Sequence, residues 1–414
     1  MTIGGKKISL TTQIFVAMII GSIAGLICGD IMKQVAFIGT IWLNCVKMIV
    51  VPMVFFTIIT GITSQKNLSS LGRIAGHIIA YYVLTTLVAT VIGLAVTEII
   101  RPGEIANFTG LASKKVAAAT SITMAKFFTD MFTTNIFVTF TKGNILQTLI
   151  VAVFFGIAIM KVANEENKEM LKKGFAAVSD MVFSLITMVM KASPIGIFFL
   201  MADSFAKYGA SLFTSMAYLA GTYYLACIIH VILVYGGILW ISNGINPFRF
   251  IKDSMELWIY TLTTCSSVAS IPVNIKVAKE KFGVPERISS FTIPLGSQMN
   301  YDGSVILYGC VIVFISQVVG HSLDIPTMLK IVGMSAILST GGGGIPGSGI
   351  VKLFIMVEAF GLPTEIVGII AAFYHIFDMG TTTNNCLGDL AGTIFVSGTV
   401  NSFAQISSDI LAEV

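Results

Sequence analysis

The sequence predicts an all-α polytopic membrane protein of eight transmembrane helices and two re-entrant hairpins, and three observations carry that prediction. The chain has 414 residues, of which 55% are hydrophobic and only 11% charged, with a mean hydropathy of +0.89. A soluble domain carries about 25% charged residues, so this chain lacks the polar side chains to coat a water-facing surface. Apolar runs of membrane length recur along it. Near its C-terminal end, CSSVASIP (265–272) and STGGGGIP (339–346) each interrupt a segment otherwise suited to lipid. Lipid offers no partner for a broken backbone, so such breaks survive only when buried in protein or lining a watery cavity. Matched breaks of this kind point to paired re-entrant loops around a midplane site, an arrangement that serves solute transport.

The spanning runs lie at about 10–29, 35–63, 74–100, 119–160, 175–202 and 209–242. Lys6 and Lys7 followed by an apolar stretch suggest a signal peptide, but no small-x-small cleavage site follows, so the first run reads as an uncleaved helix. Pro52 is expected to bend the second run. The 119–160 stretch is too long for one pass and should split near Thr141-Lys142-Gly143-Asn144. Beyond residue 245 come half-length arms: 250–263 and 272–283 flank the first break, and 327–338 and 350–360 flank the second. A helix over 287–317, broken at Asn300–Ser304, and a last helix over 363–404 complete the chain.

Lys and Arg sort the loops. Lys6/Lys7, Lys66/Arg73, the 161–173 loop, Arg249/Lys252 and Lys279/Lys281/Arg287 belong on the cytoplasmic side, with Asp30, Arg101-Pro-Gly-Glu104 and Asp324 outside. Both termini then lie inside, and the two hairpin-plus-helix units run in opposite directions as an inverted repeat. The net charge of +4 is too small and scattered to suggest nucleic acid, and the six cysteines have no paired spacing.

The densest polar cluster is FDMGTTTNNCLGD (377–389), where Asp378, Thr382, Asn385 and Asp389 share one helical face. A carboxylate at bilayer depth costs about 2.5–3.5 kcal/mol on insertion scales, so two on one face require a cation or a watery cavity. In NYDGS (300–304), Gly303 permits unwinding while Asn300 and Asp302 add side-chain oxygens, a donor set suited to a hard cation such as Na+. Tyr82, Thr85 and Thr86 occupy one face of another helix, where interhelical packing is the plainer role. The glycine run 341–344 is no phosphate loop, since no Gly-Lys-Ser/Thr follows; it reads as a pliable tip whose N–H groups approach an anion.

At this point the chain resembles the dicarboxylate/amino acid:cation symporter family, the glutamate transporters and their prokaryotic homologues. The likeness covers nearly the whole chain and rests on IPVNIKVAKE (271–280), FTIPLGSQMNYDGS (291–304), GGGGIPGSG (341–349) and DMGTTTNNCLGD (378–389), with SPIGIF (193–198) and LGRI (71–74). It implies an elevator-type glutamate transporter fold in a homotrimer. Scaffold helices would be 8–64 and 116–203. Helix three at 72–101 would join a transport domain over 206–405, with hairpin one about 247–283, helix seven about 286–318, hairpin two about 325–360 and helix eight about 363–405. By motif match, Asp389, Asn385 and backbone at Asn300 form one Na+ site, and Asp302, Asn300, Tyr82, Thr85 and Thr86 another. A third, using mainly backbone oxygens, would lie between the second hairpin (Ser339, Thr340, Gly342) and Tyr301. Asp378 would hold a substrate ammonium. Asn385 and the tips at Ser267, Ile345 and Gly349 would hold its α-carboxylate, with Ser266, Ser304, Thr381 and Thr382 in the same pocket.

Thr381 stands where members carrying acidic substrates place an arginine, and Cys265 replaces an arginine of some prokaryotic members. The resemblance therefore implies Na+-coupled symport of a neutral L-amino acid, in a prokaryotic plasma membrane, with no organic cofactor. The alternative is an acidic amino acid or C4-dicarboxylate, carried with Na+ or H+, with Lys352 as cationic partner; the simplest role for Lys352 is to snorkel to the outer interface. An ion channel fits less well, because the polar groups cluster around two dead-end hairpins. An intramembrane enzyme lacks its constellation, since His77, His230, His321 and His375 are isolated and no HExxH occurs.

Overall fold

A computed structural model describes residues 2–3, 6–7, 10–63, 68–105, 129, 132–143, 145–209, 211–339 and 348–412. Apart from a two-residue antiparallel pairing of Thr2–Ile3 with Lys6–Lys7, the described regular structure is helical. Six described helices are long and apolar enough to cross a membrane: Phe37–Thr60, Gly76–Ile100, Glu165–Lys191, Leu212–Asn243, Ile288–Val318 and Thr364–Gly398. The chain is therefore a multi-pass membrane protein. Thr12–Cys28, Ile150–Met160 and Ile325–Ser339 are apolar but shorter.

The first half comprises α1 (Leu10–Cys28), α2 (Asp30–Gln34), α3 (Phe37–Met48), α4 (Val50–Thr63), α5 (Leu68–Ile100), α6 (Ile136–Thr141), α7 (Ile145–Met160), α8 (Glu165–Lys191) and α9 (Ser193–Tyr208). The break between α3 and α4 falls at Ile49, three residues ahead of Pro52, because Pro52 has no N–H to offer the Met48 carbonyl. The single helix expected over 175–202 is instead two. Glu165 and Glu166 sit in the first turn of α8 behind an Asn164 cap, and a new helix starts at Ser193-Pro194. Thus the basic 161–173 stretch is partly helix, and Pro194 marks a helix start that its apolar surroundings conceal.

The second half comprises α10 (Ser211–Ile229), which runs through a π-helical turn at His230–Tyr235 into α11 (Gly236–Asn243), then α12 (Pro247–Asp253), α13 (Met255–Thr264), α14 (Ser267–Phe282), α15 (Glu286–Met299), α16 (Asp302–Val318), α17 (Ile325–Ser339), α18 (Ser348–Ala359) and α19 (Thr364–Ala412). Two of the expected breaks are there. Cys265 takes a left-handed conformation (φ 48°) and folds α13 back against α14. Asn300 and Tyr301 leave the helical region between α15 and α16. The second arm of the first hairpin begins at Ser267 rather than near Ile271-Pro272, because the Ser266 hydroxyl caps it by accepting from the Ala269 N–H at 3.2 Å.

Packing sorts the helices into two groups. α1 packs along α9, α9 along α3, and α4 against α7 and α8. In the other group α19 is the hub, touching α13, α14, α15, α16 and α18 and reaching across to α9 of the first group, while α5 packs along α16 and α17. Burial agrees: 89% of the apolar window is buried in Ile288–Val318 and in Thr364–Gly398, against 12% in Glu165–Lys191. Helices seven and eight of the sequence reading are thus interior, and their polar residues are carried into the middle of the molecule.

Candidate functional site

Three polar centres form where α19 meets the α15–α16 break. At the first, Asp302 is fully buried at the start of α16. Thr86 Oγ1 donates to its Oδ1 at 2.8 Å and the Tyr235 hydroxyl to its Oδ2 at 2.8 Å, with His230 Nε2 3.3 Å from the same oxygen. Tyr235 also reaches the Asn384 side-chain and backbone oxygens at 3.1 and 3.2 Å. His230 is therefore not isolated. The π turn widens the helix by one residue and brings His230 and Tyr235 onto one carboxylate, and nothing in the local sequence announces that turn.

At the second centre Asn300 Nδ2 donates to Asp389 Oδ1 at 3.1 Å and to the Asn385 carbonyl at 3.0 Å, while Asn300 Oδ1 is buried with no hydrogen-bond partner among the described residues. The Tyr82 hydroxyl bonds the Thr292 carbonyl at 3.0 Å and lies beside Asp389. Gly296 makes the space, since a Cβ there would overlap both Asp389 Oδ1 and the Tyr82 hydroxyl. The Thr85 hydroxyl is turned along its own helix to the Tyr82 carbonyl at 3.2 Å. Buried carboxylate, amide, hydroxyl and carbonyl oxygens suit a hard cation, and an unpartnered amide oxygen is the kind of ligand such an ion would satisfy.

The third centre is a pocket enclosing about 20 Å³, room for about one water. Asp378, Thr381, Thr382 and Asn385 line it from α19, Ser267 from the first hairpin, Ser304 from α16 and Gly349 from α18. These seven residues were expected together, and they are. The Thr381 hydroxyl is held by Asp378, at 3.1 Å from its carbonyl and 3.3 Å from Oδ1. Asn385 Oδ1 accepts the Gly303 N–H at 2.8 Å. Gly349 sits directly against the Tyr374 hydroxyl, with no space for a Cβ. Ser266 is a helix cap rather than a pocket wall. Ser339 is buried, its hydroxyl on the Ala336 carbonyl at 3.0 Å. Thr340, Gly342 and Ile345 lie outside the described residues.

Lys352 does not snorkel. It is 4% exposed, lines the same pocket as Asp378, and holds its ammonium 4.1 Å from the centroid of the Tyr301 ring. Its Nζ has no hydrogen-bond partner among the described residues. A desolvated cation–π contact returns about 2 kcal/mol, whereas burying an ion costs several kcal/mol. Among the described residues this buried amine has no counter-charge within hydrogen-bond reach. Tyr308 and Tyr374 also line the pocket and were not anticipated; the signal for Tyr308 was its place on the helical face of Tyr301 and Ser304.

The model of the sodium:dicarboxylate symporter family matches residues 10–399. A proton/sodium-glutamate symport protein of Geobacillus stearothermophilus is 30% identical over 402 residues, covering 95% of this chain and 94% of that protein. A protein of the same description from Bacillus caldotenax has the same identity and coverage. A C4-dicarboxylate transport protein of Bacillus subtilis (strain 168) is 30% identical over 413 residues, 97% of this chain and 96% of the relative.

Proposed function

Because this chain belongs to the sodium:dicarboxylate symporter family, a family of transporters rather than enzymes, we propose that it couples Na+ entry to uptake of a small acidic amino acid. Asp378 faces the substrate ammonium and Lys352 its side-chain carboxylate. One observation carries this reading: the Lys352 amine, with no hydrogen-bond partner among the described residues, and the Asp378 carboxylate are buried in the same pocket. The names of the relatives, glutamate and C4-dicarboxylate carriers, support an acidic substrate over the neutral one that Thr381 and Cys265 suggested. The cation missing at those two positions comes instead from the arm of the second hairpin. A C4-dicarboxylate is the second reading, supported by the Bacillus subtilis relative, but it would set a carboxylate against Asp378.

Na+ is a co-transported substrate here, with positions at Asp389–Asn300–Tyr82 and at Asp302–Thr86. The two helix groups act as a fixed scaffold and a moving transport domain in an elevator, assembled as a trimer, with the second hairpin as gate and both termini cytoplasmic. Uptake into proteoliposomes tests the reading. L-Aspartate or L-glutamate should accumulate under an inward Na+ gradient, and Lys352→Met should lower that uptake at least tenfold while sparing alanine and serine as competitors. Asp378→Asn should abolish amino acid uptake; retained succinate uptake in that variant would favour the dicarboxylate. Alanine transport as efficient as aspartate transport, indifferent to Lys352→Met, would overturn the acidic assignment.

A further inference from the structure

Most polar atoms around the pocket have partners inside the protein. Thr381 is held by Asp378, the Tyr301 hydroxyl bonds the Ser297 carbonyl at 3.0 Å, and Asn385 holds the Gly303 N–H. Two lining atoms are buried and have none among the described residues: Lys352 Nζ and the Tyr308 hydroxyl. The Ser304 hydroxyl, one turn before Tyr308, is its close neighbour. Tyr308 is 1% exposed in the middle of α16, a helix that packs against the α18 helix bearing Lys352.

A buried donor without an acceptor costs about 1–3 kcal/mol, so two of them in one cavity describe the ligand they lack. Both can donate, and one is cationic. A neutral amide presents a single acceptor oxygen, and its NH2 group would oppose the ammonium. A carboxylate presents two oxygens and the complementary charge.

We propose that Tyr308 is the second arm of a carboxylate subsite, donating its phenolic hydrogen to the substrate's side-chain carboxylate while Lys352 supplies the charge and the Tyr301 ring carries the ammonium. This rests on the acidic amino acid reading above and makes Tyr308 a specificity determinant of that site. A free inorganic anion such as chloride shares the chemistry, so the test separates the two sources.

The experiment is calorimetric binding to the full chain in detergent with saturating Na+, using the pairs L-aspartate/L-asparagine and L-glutamate/L-glutamine, in chloride and in gluconate. Tyr308→Phe should weaken the acidic member about ten- to a hundredfold, the range for a lost hydrogen bond to a charged group, and move the amide member less than threefold. The melting temperature without substrate should hold or rise, since the variant removes an unsatisfied hydroxyl. Equal loss for both members of a pair would show a structural role and overturn the inference. Full acidic affinity in Tyr308→Phe beside a loss in Lys352→Met would overturn the role of Tyr308 alone. Indifference of acidic affinity to both variants would overturn the acidic amino acid reading itself. An effect of Tyr308→Phe confined to chloride inhibition would assign the subsite to the free anion and overturn its role towards substrate.

Discussion

Single side chains decide this site by what they lack as much as by what they bond. Gly296 lacks a Cβ where Asp389 and Tyr82 close in on its Cα. Gly296→Ala should force both to move, costing about 1–3 kcal/mol of stability and lowering Na+ affinity at least tenfold. A Na+ titration of thermal stability measures both, and unchanged Na+ affinity would mean that Asp389 is not a cation ligand. The residue scale is also where the sequence is most and least legible. Asp302, Asp378 and Asp389 stand out because a carboxylate in an apolar run demands a reason. Lys352 was visible as an anomaly, but the direction of its side chain was not, because a lysine on a short arm reaches lipid headgroups or a pocket equally well. Tyr308 sits in an apolar helix whose composition gives no hint that its hydroxyl is unsatisfied.

At the scale of elements, the breaks carry the function, and those made by glycine, proline or a serine run announce themselves. The α15–α16 break and the first hairpin fall where NYDGS and CSSVASIP place them. The π turn at His230–Tyr235 does not announce itself, since HVILVY has ordinary helical residues and the turn is marked only by its tertiary contacts with Asp302 and Asn384. Tyr235 holds Oδ2 of Asp302 and Thr86 holds Oδ1, at the position proposed above for a Na+. Tyr235→Phe should therefore raise the Na+ concentration for half-maximal uptake about ten- to a hundredfold with little change in substrate affinity, as one lost hydrogen bond to a charged group predicts. Uptake assayed against Na+ checks it; lower stability with unaltered Na+ dependence would mark Tyr235 as packing only.

At the scale of the whole molecule, hydropathy and charge suffice for membrane class. The pairing of helices across long sequence separations was not legible without the resemblance, because lipid-facing and protein-facing apolar residues look alike. The two helix groups meet around a cavity of about 140 Å³, lined by Ile14, Met190 and Ile197 on one side and Cys265, Ile350 and Tyr374 on the other. In an elevator these surfaces slide. Ile197→Trp should fill the cavity and pin the groups, cutting uptake at least tenfold while aspartate affinity stays within threefold. Undiminished turnover would show that the two groups do not move past one another here.

The buried ammonium of Lys352 has one more consequence. Fixed to an arm of the second hairpin, it would cross the membrane field with the loaded carrier and cross back with the empty one. Over a full cycle its contribution to the current cancels, so the attainable gradient is unaltered. In the elevator proposed above, a charged Lys352 would shift the voltage sensitivity of each half: a negative interior would help the inward stroke and oppose the return stroke.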